Sequence, residues 1–128
     1  MKPECSPRNR QAGRGDVDFQ LAVERFVEHL SFELRRSRHT IHAYAKDLEQ
    51  LKQFFLQRGG IPPLADLGRS ELRLWLADES QRVSSKTLAR KLSSLRAFFS
   101  FLVEVQAIDH DPAALLKMPK LPKHFPLV

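Results

Sequence analysis

Several features that mark other classes of protein are almost or wholly missing from this sequence. Cysteine occurs once, as Cys5, so neither an intramolecular disulfide nor a cysteine-based zinc site can form. No apolar run approaches the roughly 20 residues that a membrane-spanning helix needs, and the first residues lack the apolar core of a signal peptide. We therefore expect a soluble cytoplasmic protein that has no membrane partner.

Motifs that carry catalysis or hold a cofactor are also missing. The sequence contains no glycine-rich phosphate loop, no HExxH motif and no GxSxG motif. His39 and His42 stand three residues apart, but no third ligand falls at a neighbouring helical position, which favours surface histidines over a zinc site. Tyr44 is the only tyrosine, and its helical neighbours supply no cations to activate it as a nucleophile. We expect no metal, no cofactor and no catalytic residue in this chain.

Acidic residues are missing from one long stretch. No aspartate or glutamate lies between Glu79 and Glu104. The same stretch contains five cations: Arg82, Lys86, Arg90, Lys91 and Arg96. Because solvated helices usually mix both signs through pairs four residues apart, a stretch of one sign favours a polyanionic partner. The net charge of +6 agrees with attraction to phosphates, although composition alone also allows a basic protein that binds nucleic acid only incidentally.

The residues that are present predict one all-α domain. Apolar residues make up 42% of the 128 residues, enough for one core, and their spacing follows the helical repeat. The pattern predicts a four-helix bundle with a short fifth helix, over residues 16–35, 37–60, 70–82, 84–105 and 111–116. The N-caps expected from the sequence are Asp16 or Asp18, then Ser37, Ser70 and Asp111.

The two ends of the chain differ from its body. Residues 1–15 are basic and without hydrophobic periodicity, which predicts a disordered leader. Residues 117–128 contain Pro119, Pro122 and Pro126 and predict an extended linker toward a domain that is absent from this chain. The predicted organisation is therefore a leader at 1–15, a helical domain at 16–116 and a linker at 117–128.

The predicted fourth helix has two contrasting faces. Its apolar stripe consists of Leu88, Leu92, Leu95, Phe99 and Leu102. The opposite face carries Lys86, Arg90, Ser93, Ser94 and Ala97. The second helix repeats this arrangement, with Ile41, Tyr44, Leu48, Leu51 and Phe55 on the apolar side and His39, Ala43, Lys46, Gln50 and Gln53 on the polar side. We interpret the two polar faces as a surface for nucleic acid, on which Arg90 and Gln50 are best placed to read bases.

Several motifs together resemble the N-terminal core-binding domain of the tyrosine recombinase, or phage-integrase-like, family and are most similar to its Xer-type members. They are the Phe-x6-Phe-x3-Leu pattern that starts at Phe19, the Ser-x2-Thr-x3-Tyr-x2-Asp-Leu run that starts at Ser37, the fourth helix, and Asp111-Pro112 ahead of the proline-rich end. The resemblance implies a SAM-like integrase fold that forms half of a C-shaped clamp on double-stranded DNA. Its second and fourth helices would cross at the major groove, and recombinase protomers would meet in a tetrameric synapse.

Site residues follow from the resemblance position by position. It implies DNA contacts by Thr40, Lys46, Lys86, Arg90, Ser93 and Arg96. For Arg96 the alternative is a salt bridge to Asp78 or Glu79. Three linker lysines are further candidate phosphate contacts, with a solvated linker as the alternative: Lys117, Lys120 and Lys123. Five or six phosphate contacts would give a slope of log K against log salt of roughly −4 to −6.

The resemblance also implies a role in DNA integration, recombination and chromosome-dimer resolution, and so in chromosome partition at cell division. The family's tyrosine nucleophile and its activators would follow Val128, so strand cleavage and religation would belong to a longer parent enzyme. We expect a fragment of such an enzyme, with a free-standing short protein as the alternative. A helical module that docks an acidic protein partner through its basic face is the alternative function.

Overall fold

The structure, a computed structural model, describes residues 7–119, with side chains from Asp18 onward. It contains four α-helices, α1 at Pro7–Glu28, α2 at Arg38–Leu56, α3 at Arg69–Glu79 and α4 at Ser85–Glu104. A π-helical turn at His29–Glu33 continues α1, and a 3-10 turn at Leu64–Asp66 precedes α3. No strand occurs within the described range, and the predicted all-α class is confirmed. Nor does that range contain a helix both long and apolar enough to cross a lipid bilayer.

α2 and α4 begin with the same serine cap. The Ser37 hydroxyl accepts a hydrogen bond from the backbone N–H of Thr40 at 3.1 Å, and the Ser84 hydroxyl accepts one from the N–H of Thr87 at 3.2 Å. Each serine satisfies an amide that has no partner inside its own helix. The predicted starts of these two helices are therefore confirmed.

α3 begins slightly earlier than predicted. Its cap is Gly68, whose N–H donates to the Glu71 carboxylate at 3.0 Å, while Ser70 lies inside the first turn. The prediction of Ser70 as the cap was wrong because a glutamate reaching back from the third helical position can close the helix start without a serine.

α1 differs from its predicted course at both ends. It begins at Pro7, well before Asp16, and so runs through part of the segment assigned to the leader. Proline suits a first helical position because its missing N–H is not needed there. At the other end, Leu34 N–H donates to the carbonyl of His29 at 3.0 Å, five residues back. This π turn adds a residue to the helical repeat, and Leu34, four residues after buried Leu30, is 48% exposed.

α2 and α4 both end in a left-handed backbone conformation. After α2, Gly59 and Gly60 have positive φ angles of 105° and 121°, and the N–H of Gly60 returns to the carbonyl of Phe55 at 2.9 Å. After α4, Gln106 has a φ of 64° while the N–H of Ala107 donates to the carbonyl of Leu102 at 2.8 Å. The predicted range of the second helix ended at Gly60, which takes part in this closure, whereas α4 reaches the same closure without glycine.

α4 is the central element of the bundle because it packs against α1, α2 and α3. All five residues of its predicted apolar stripe are buried. Phe98 is fully buried as well, with its ring centroid 5.7 Å from that of Phe19 and 5.4 Å from that of Phe26. A helix covered on three sides buries more positions than a single stripe predicts, so only a narrow part of α4 remains open to solvent.

The predicted fifth helix is absent from the described part of the chain. Two successive turns take its place, closed by hydrogen bonds from Ala114 N–H to the Asp111 carbonyl and from Leu116 N–H to the Ala113 carbonyl, both at 3.2 Å. Asp111 does cap this segment, because its carboxylate accepts from Ala113 N–H at 2.9 Å. So short a segment, followed by Pro119, cannot propagate a helical nucleus.

Candidate nucleic-acid interface

One narrow stripe of α4 is exposed along most of the helix. We call it the α4 stripe, and its members recur every three or four residues: Lys86, Ala89, Arg90, Ser93, Arg96 and Ser100. Three of the six carry a positive charge, two carry a hydroxyl, and none is acidic. The stripe can therefore offer cations and hydrogen-bond donors to an anionic partner.

α2 presents a more mixed exposed side. Its exposed positions are Arg38, His39, His42, Lys46, Glu49, Gln53 and Leu56. Ala43 and Gln50, which were predicted on the same polar face, are half-buried rather than exposed. They border the side of α2 that packs on α4, so the two polar faces adjoin at these positions.

A buried carboxylate joins α2 to α4. Asp47 has no exposed surface, yet its oxygens accept hydrogen bonds from Arg90 Nε at 3.1 Å and Arg90 Nη2 at 2.5 Å. Lys91 Nζ donates to the same carboxylate at 3.2 Å, and Ser94 Oγ lies 3.2 Å from it while it also donates to the carbonyl of Lys91 at 2.8 Å. Asp47 therefore receives three N–H donors from Arg90 and Lys91 and a further contact from Ser94, which is the pairing that a buried charge requires.

Lys91 extends these contacts to α3. It is only 2% exposed, and its ammonium group donates to Gln50 Oε1 and lies 3.4 Å from Glu79 Oε1. Glu79 in turn pairs with Arg82 at 2.8 Å. A continuous series of ion pairs thus runs from Arg82 through Glu79, Lys91 and Asp47 to Arg90 and connects α2, α3 and α4.

This network corrects the prediction drawn from charge. The stretch between Glu79 and Glu104 carries only positive charges in the sequence. In the fold, carboxylates from α2 and α3 pair with three of them: Arg82, Arg90 and Lys91. Lys91 cannot reach a phosphate, and Ser94, predicted on the open face, is fully buried. Both lie on the side of α4 that α2 and α3 cover, where a carboxylate is available to them.

The ionisation of these groups follows from their partners. The hydrogen bonds to Asp47 raise the pKa of Arg90, against the opposing effect of partial burial, so its guanidinium stays charged. Hydrogen bonds to Asp78 and then to Glu79 raise the pKa of Arg82. The hydrogen bond from Arg82 lowers the pKa of Asp78 below its ordinary 3.8.

The remaining predicted site residues fall into different environments. Lys46, Lys86 and Ser93 are exposed, as a DNA contact requires. Thr40 is half-buried in the first turn of α2, where its N–H and hydroxyl both bond Ser37, so its observed role is in the helix cap.

Arg96 and the linker lysines are placed as follows. Arg96 Nη2 donates to the carbonyl of Leu116 at 2.8 Å, so the expected alternative, a salt bridge to Asp78 or Glu79, is not its contact. This bond ties the segment after α4 to the α4 stripe. Lys117 is exposed, whereas Lys120 and Lys123 lie outside the described residues.

The described side chains do not assemble a metal centre. His39 and His42 are both exposed at the start of α2. Nowhere between Asp18 and Pro119 do three histidine, cysteine or carboxylate side chains gather closely enough to hold an ion. The surface of α2 and α4 therefore offers charge and hydrogen bonds rather than metal ligation.

Comparisons with known proteins bear directly on this surface. Residues 23–106 match the family described as phage integrase, N-terminal SAM-like domain. The matched range contains the end of α1 and all of α2, α3 and α4, and so includes the α4 stripe and Asp47.

Individual relatives agree with the family match. The chain is 36% identical over 106 residues to the tyrosine recombinase XerC of Lactobacillus delbrueckii subsp. bulgaricus, covering 80% of this chain and 36% of the relative. It is 37% identical over 108 residues to the XerC of Xanthomonas campestris pv. campestris, covering 84% and 33%, and 31% identical over 105 residues to that of Bacillus subtilis, covering 81% and 34%. The chain spans about a third of the length of these relatives. Because the family match covers most of the chain and the four observed helices agree with it, this chain belongs to the phage integrase N-terminal SAM-like domain family.

Proposed function

We propose that this chain is the DNA-binding domain of a site-specific tyrosine recombinase, and that α2 and α4 hold the recombination site in duplex DNA. The observation that carries the proposal is the α4 stripe, a row of exposed cations and hydroxyls without a carboxylate, in a chain of the integrase N-terminal family. Lys46 on α2 adds a further exposed cation next to Asp47, the residue that bonds α4.

Phosphate contacts and base contacts divide naturally between these residues. Lys46, Lys86 and Ser93 are exposed side chains suited to phosphate oxygens, which fix the register of the protein on the duplex. Lys117 and, by charge, Lys120 and Lys123 would follow the DNA backbone along the linker. Arg90, partly exposed and held by Asp47, is the side chain best suited to a base edge.

The activity of the whole recombinase is part of the same proposal. Strand cleavage and religation would belong to residues outside this chain, and DNA integration, recombination and chromosome-dimer resolution would require recombinase protomers joined in a synapse on chromosomal DNA in the cytoplasm. The division into a helical domain at 16–116 and a linker at 117–128 suits a clamp with two arms. An isolated arm makes only part of the contacts, so we expect a Kd weaker than about 10⁻⁹ M at physiological salt.

Charge reversal tests the proposal by fluorescence anisotropy. Lys46→Glu combined with Lys86→Glu is expected to weaken duplex binding by at least about tenfold, because two phosphate contacts become repulsive. The matched control combines Arg69→Glu with Arg73→Glu, which makes the same change of net charge on exposed positions of α3. Both variants should keep the helical circular dichroism of the parent chain.

Two results would contradict the proposal. One is equal loss of affinity in the α2–α4 variant and the α3 control, which would show that net charge alone drives binding. The other is binding to polyglutamate as tight as binding to duplex DNA, which would favour docking of an acidic protein. Arg90→Glu is unsuitable here, because it places a second carboxylate against buried Asp47 and would disturb the fold.

The dependence of binding on salt measures the number of phosphate contacts. Lys91 is buried, so the expected slope of log K against log salt moves from the range of roughly −4 to −6 toward about −4. That value corresponds to phosphate contacts by Lys46, Lys86, Lys117 and one further linker lysine. Lys86→Gln should reduce this slope by about 0.9. An unchanged slope would remove Lys86 from the interface.

A further inference from the structure

We infer that Asp47 is a positioning residue which fixes the guanidinium of Arg90 in one orientation, so that its outer edge reads a guanine in the DNA major groove. The inference rests on the proposed function and deepens it, because it names the base and the residue that confers the preference. It is carried by the geometry of the two side chains and by the difference in their exposure.

The contact between the two residues uses only one edge of the guanidinium. Arg90 Nε donates to Asp47 Oδ2 at 3.1 Å and Arg90 Nη2 donates to Asp47 Oδ1 at 2.5 Å, so each carboxylate oxygen accepts one bond. A guanidinium carries five N–H donors in a fixed plane. The two bonds leave both donors of Nη1 and the outer donor of Nη2. One N–H of Nη1 and the outer N–H of Nη2 are parallel and form a second edge at the end of the group.

Burial determines which way that second edge faces. Asp47 has no exposed surface, whereas the side chain of Arg90 is 41% exposed. The bonded edge therefore faces the interior, and the outer end of the guanidinium, with Nη1, lies on the exposed side of Arg90 on the α4 stripe. Between Asp18 and Pro119, Nη1 of Arg90 takes part in no hydrogen bond or ion pair.

Asp47 is itself held from the other side. Lys91 Nζ donates to its carboxylate at 3.2 Å, Ser94 Oγ lies at the same distance from it, and both residues are buried. The carboxylate therefore cannot turn to follow Arg90, and the guanidinium plane is set by the packing of α2 on α4. An arginine fixed in this way has already lost the side-chain freedom that binding would otherwise cost.

A fixed arginine edge suits a base better than a phosphate. Two parallel N–H donors match O6 and N7 of guanine, which is the commonest specific arginine contact in a major groove. Phosphates need only a mobile charge or a hydroxyl, and exposed Lys86 and Ser93 stand one turn to either side of Arg90 on the α4 stripe. These neighbours would anchor the backbone while Arg90 points between them.

The test removes a single acceptor atom from the DNA. The wild-type chain first selects its preferred sequences from a pool of randomised duplexes, and 7-deazaguanine then replaces each selected guanine, which removes N7 but keeps base pairing. We expect one guanine at which this replacement weakens wild-type binding by about tenfold. At that guanine, 7-deazaguanine should weaken binding by the Arg90→Lys variant and by the Asp47→Asn variant by less than about twofold. Arg90→Lys lacks the guanidinium edge, and Asp47→Asn leaves that edge without its fixed orientation.

Lys86→Gln provides the matched control for a phosphate contact. It should weaken binding to all duplexes alike, reduce the salt slope by about 0.9 and keep the full sensitivity to 7-deazaguanine. Sensitivity that is the same in wild type and Arg90→Lys at every guanine, or selection without any guanine, would overturn the inference and leave the proposed function intact. Failure of the wild-type chain to bind any duplex would overturn the proposed function.

A test of the role of Asp47 needs a variant that folds. If Asp47→Asn is unfolded by circular dichroism, Asp47→Asn combined with Lys91→Met removes the buried charge together with its buried counter-ion, a change that proteins tolerate better than the loss of one partner. This double variant keeps Arg90 but should lose the sensitivity to 7-deazaguanine. Retained sensitivity would show that Arg90 needs no positioning and would overturn the assigned role of Asp47.

Discussion

The two halves of α4 both bury leucines but differ in their other contacts with the bundle. In the first half, residues 85–94, Lys91, Ser94 and Arg90 bond Asp47 of α2, and Lys91 also approaches Glu79 of α3. In the second half, residues 95–104, phenylalanine rings pack against α1. The polar half includes Arg90 and Lys86, and the aromatic half contains no charged residue that is buried. The buried ion pairs and the buried aromatic rings thus lie in different halves of one helix.

The largest expected effect comes from the aromatic half. Phe98→Ala should lower the free energy of unfolding by about 3–5 kcal/mol, because it removes a fully buried ring that contacts Phe19, Phe26 and Phe99. Phe32→Ala is the control, since Phe32 is 77% exposed and its loss should change stability by no more than about 0.5 kcal/mol. Urea denaturation measures both, and equal effects would show that the core is elsewhere.

The polar half should respond more weakly and more selectively. Lys91→Met is expected to cost about 2 kcal/mol, because methionine fills the space but leaves Asp47 and Glu79 without their shared cation. Lys86→Met removes an identical charge from an exposed site of the same helix, and its effect on stability should stay within about 0.5 kcal/mol. Urea titrations of the two variants compare them directly. A neutral Lys91→Met would mean that the buried ion pairs do not hold this half in place.

The end of the aromatic half carries backbone strain that can be relieved. Gln106 has a φ of 64°, a conformation that glycine adopts without the steric cost that a side chain imposes. Gln106→Gly should therefore raise the free energy of unfolding by about 0.5–1 kcal/mol. Gln57→Gly is the control, because Gln57 ends α2 with a φ of −73° and gains nothing from glycine. Thermal unfolding of the two variants gives the comparison, and destabilisation by Gln106→Gly would refute this account of the α4 end.

The smallest expected effect is a dependence of stability on pH at the exposed end of the ion-pair series. The pKa of Asp78 is lowered in the folded state by its hydrogen bond from Arg82, so this carboxyl adds stability above its ordinary pKa of 3.8. That contribution is lost as the pH falls through the lowered value. Arg82→Gln should thus reduce the melting temperature slightly at neutral pH and less at about pH 3. If the difference in melting temperature between Arg82→Gln and the parent chain grew as the pH fell, the expected direction would be contradicted.

Much of the fold could be predicted because it depends on local spacing. The buried leucines of α4 and the serine caps of α2 and α4 follow from the helical repeat and from neighbouring residues. The exposure of Leu34 does not, because a π turn depends on backbone hydrogen bonds that no side-chain pattern records. The turns at Asp111–Leu116 were mistaken for a helix because an Asp-Pro start is common to both.

The candidate site was predictable only in part, for a similar reason. The exposure of Lys86 and Ser93 needs nothing beyond the geometry of a single helix. The contact between Arg90 and Asp47 joins residues 43 positions apart, so the pairing of α2 with α4 must be known before it can be seen. One signal was present, since Asp47 and Lys91 are opposite charges placed among the leucines of two helices. Buried charges of opposite sign on two apolar faces are best explained by a mutual contact.

The most direct test of the central claim is a titration of the 15N-labelled chain with duplex DNA, followed by NMR. Amide shifts are expected to concentrate on the α4 stripe, from Lys86 to Ser100, and on the side of α2 that carries Lys46. The π turn at His29–Glu33 should remain unchanged. Shifts concentrated on that turn and on α1, with the α4 stripe unaffected, would contradict the account.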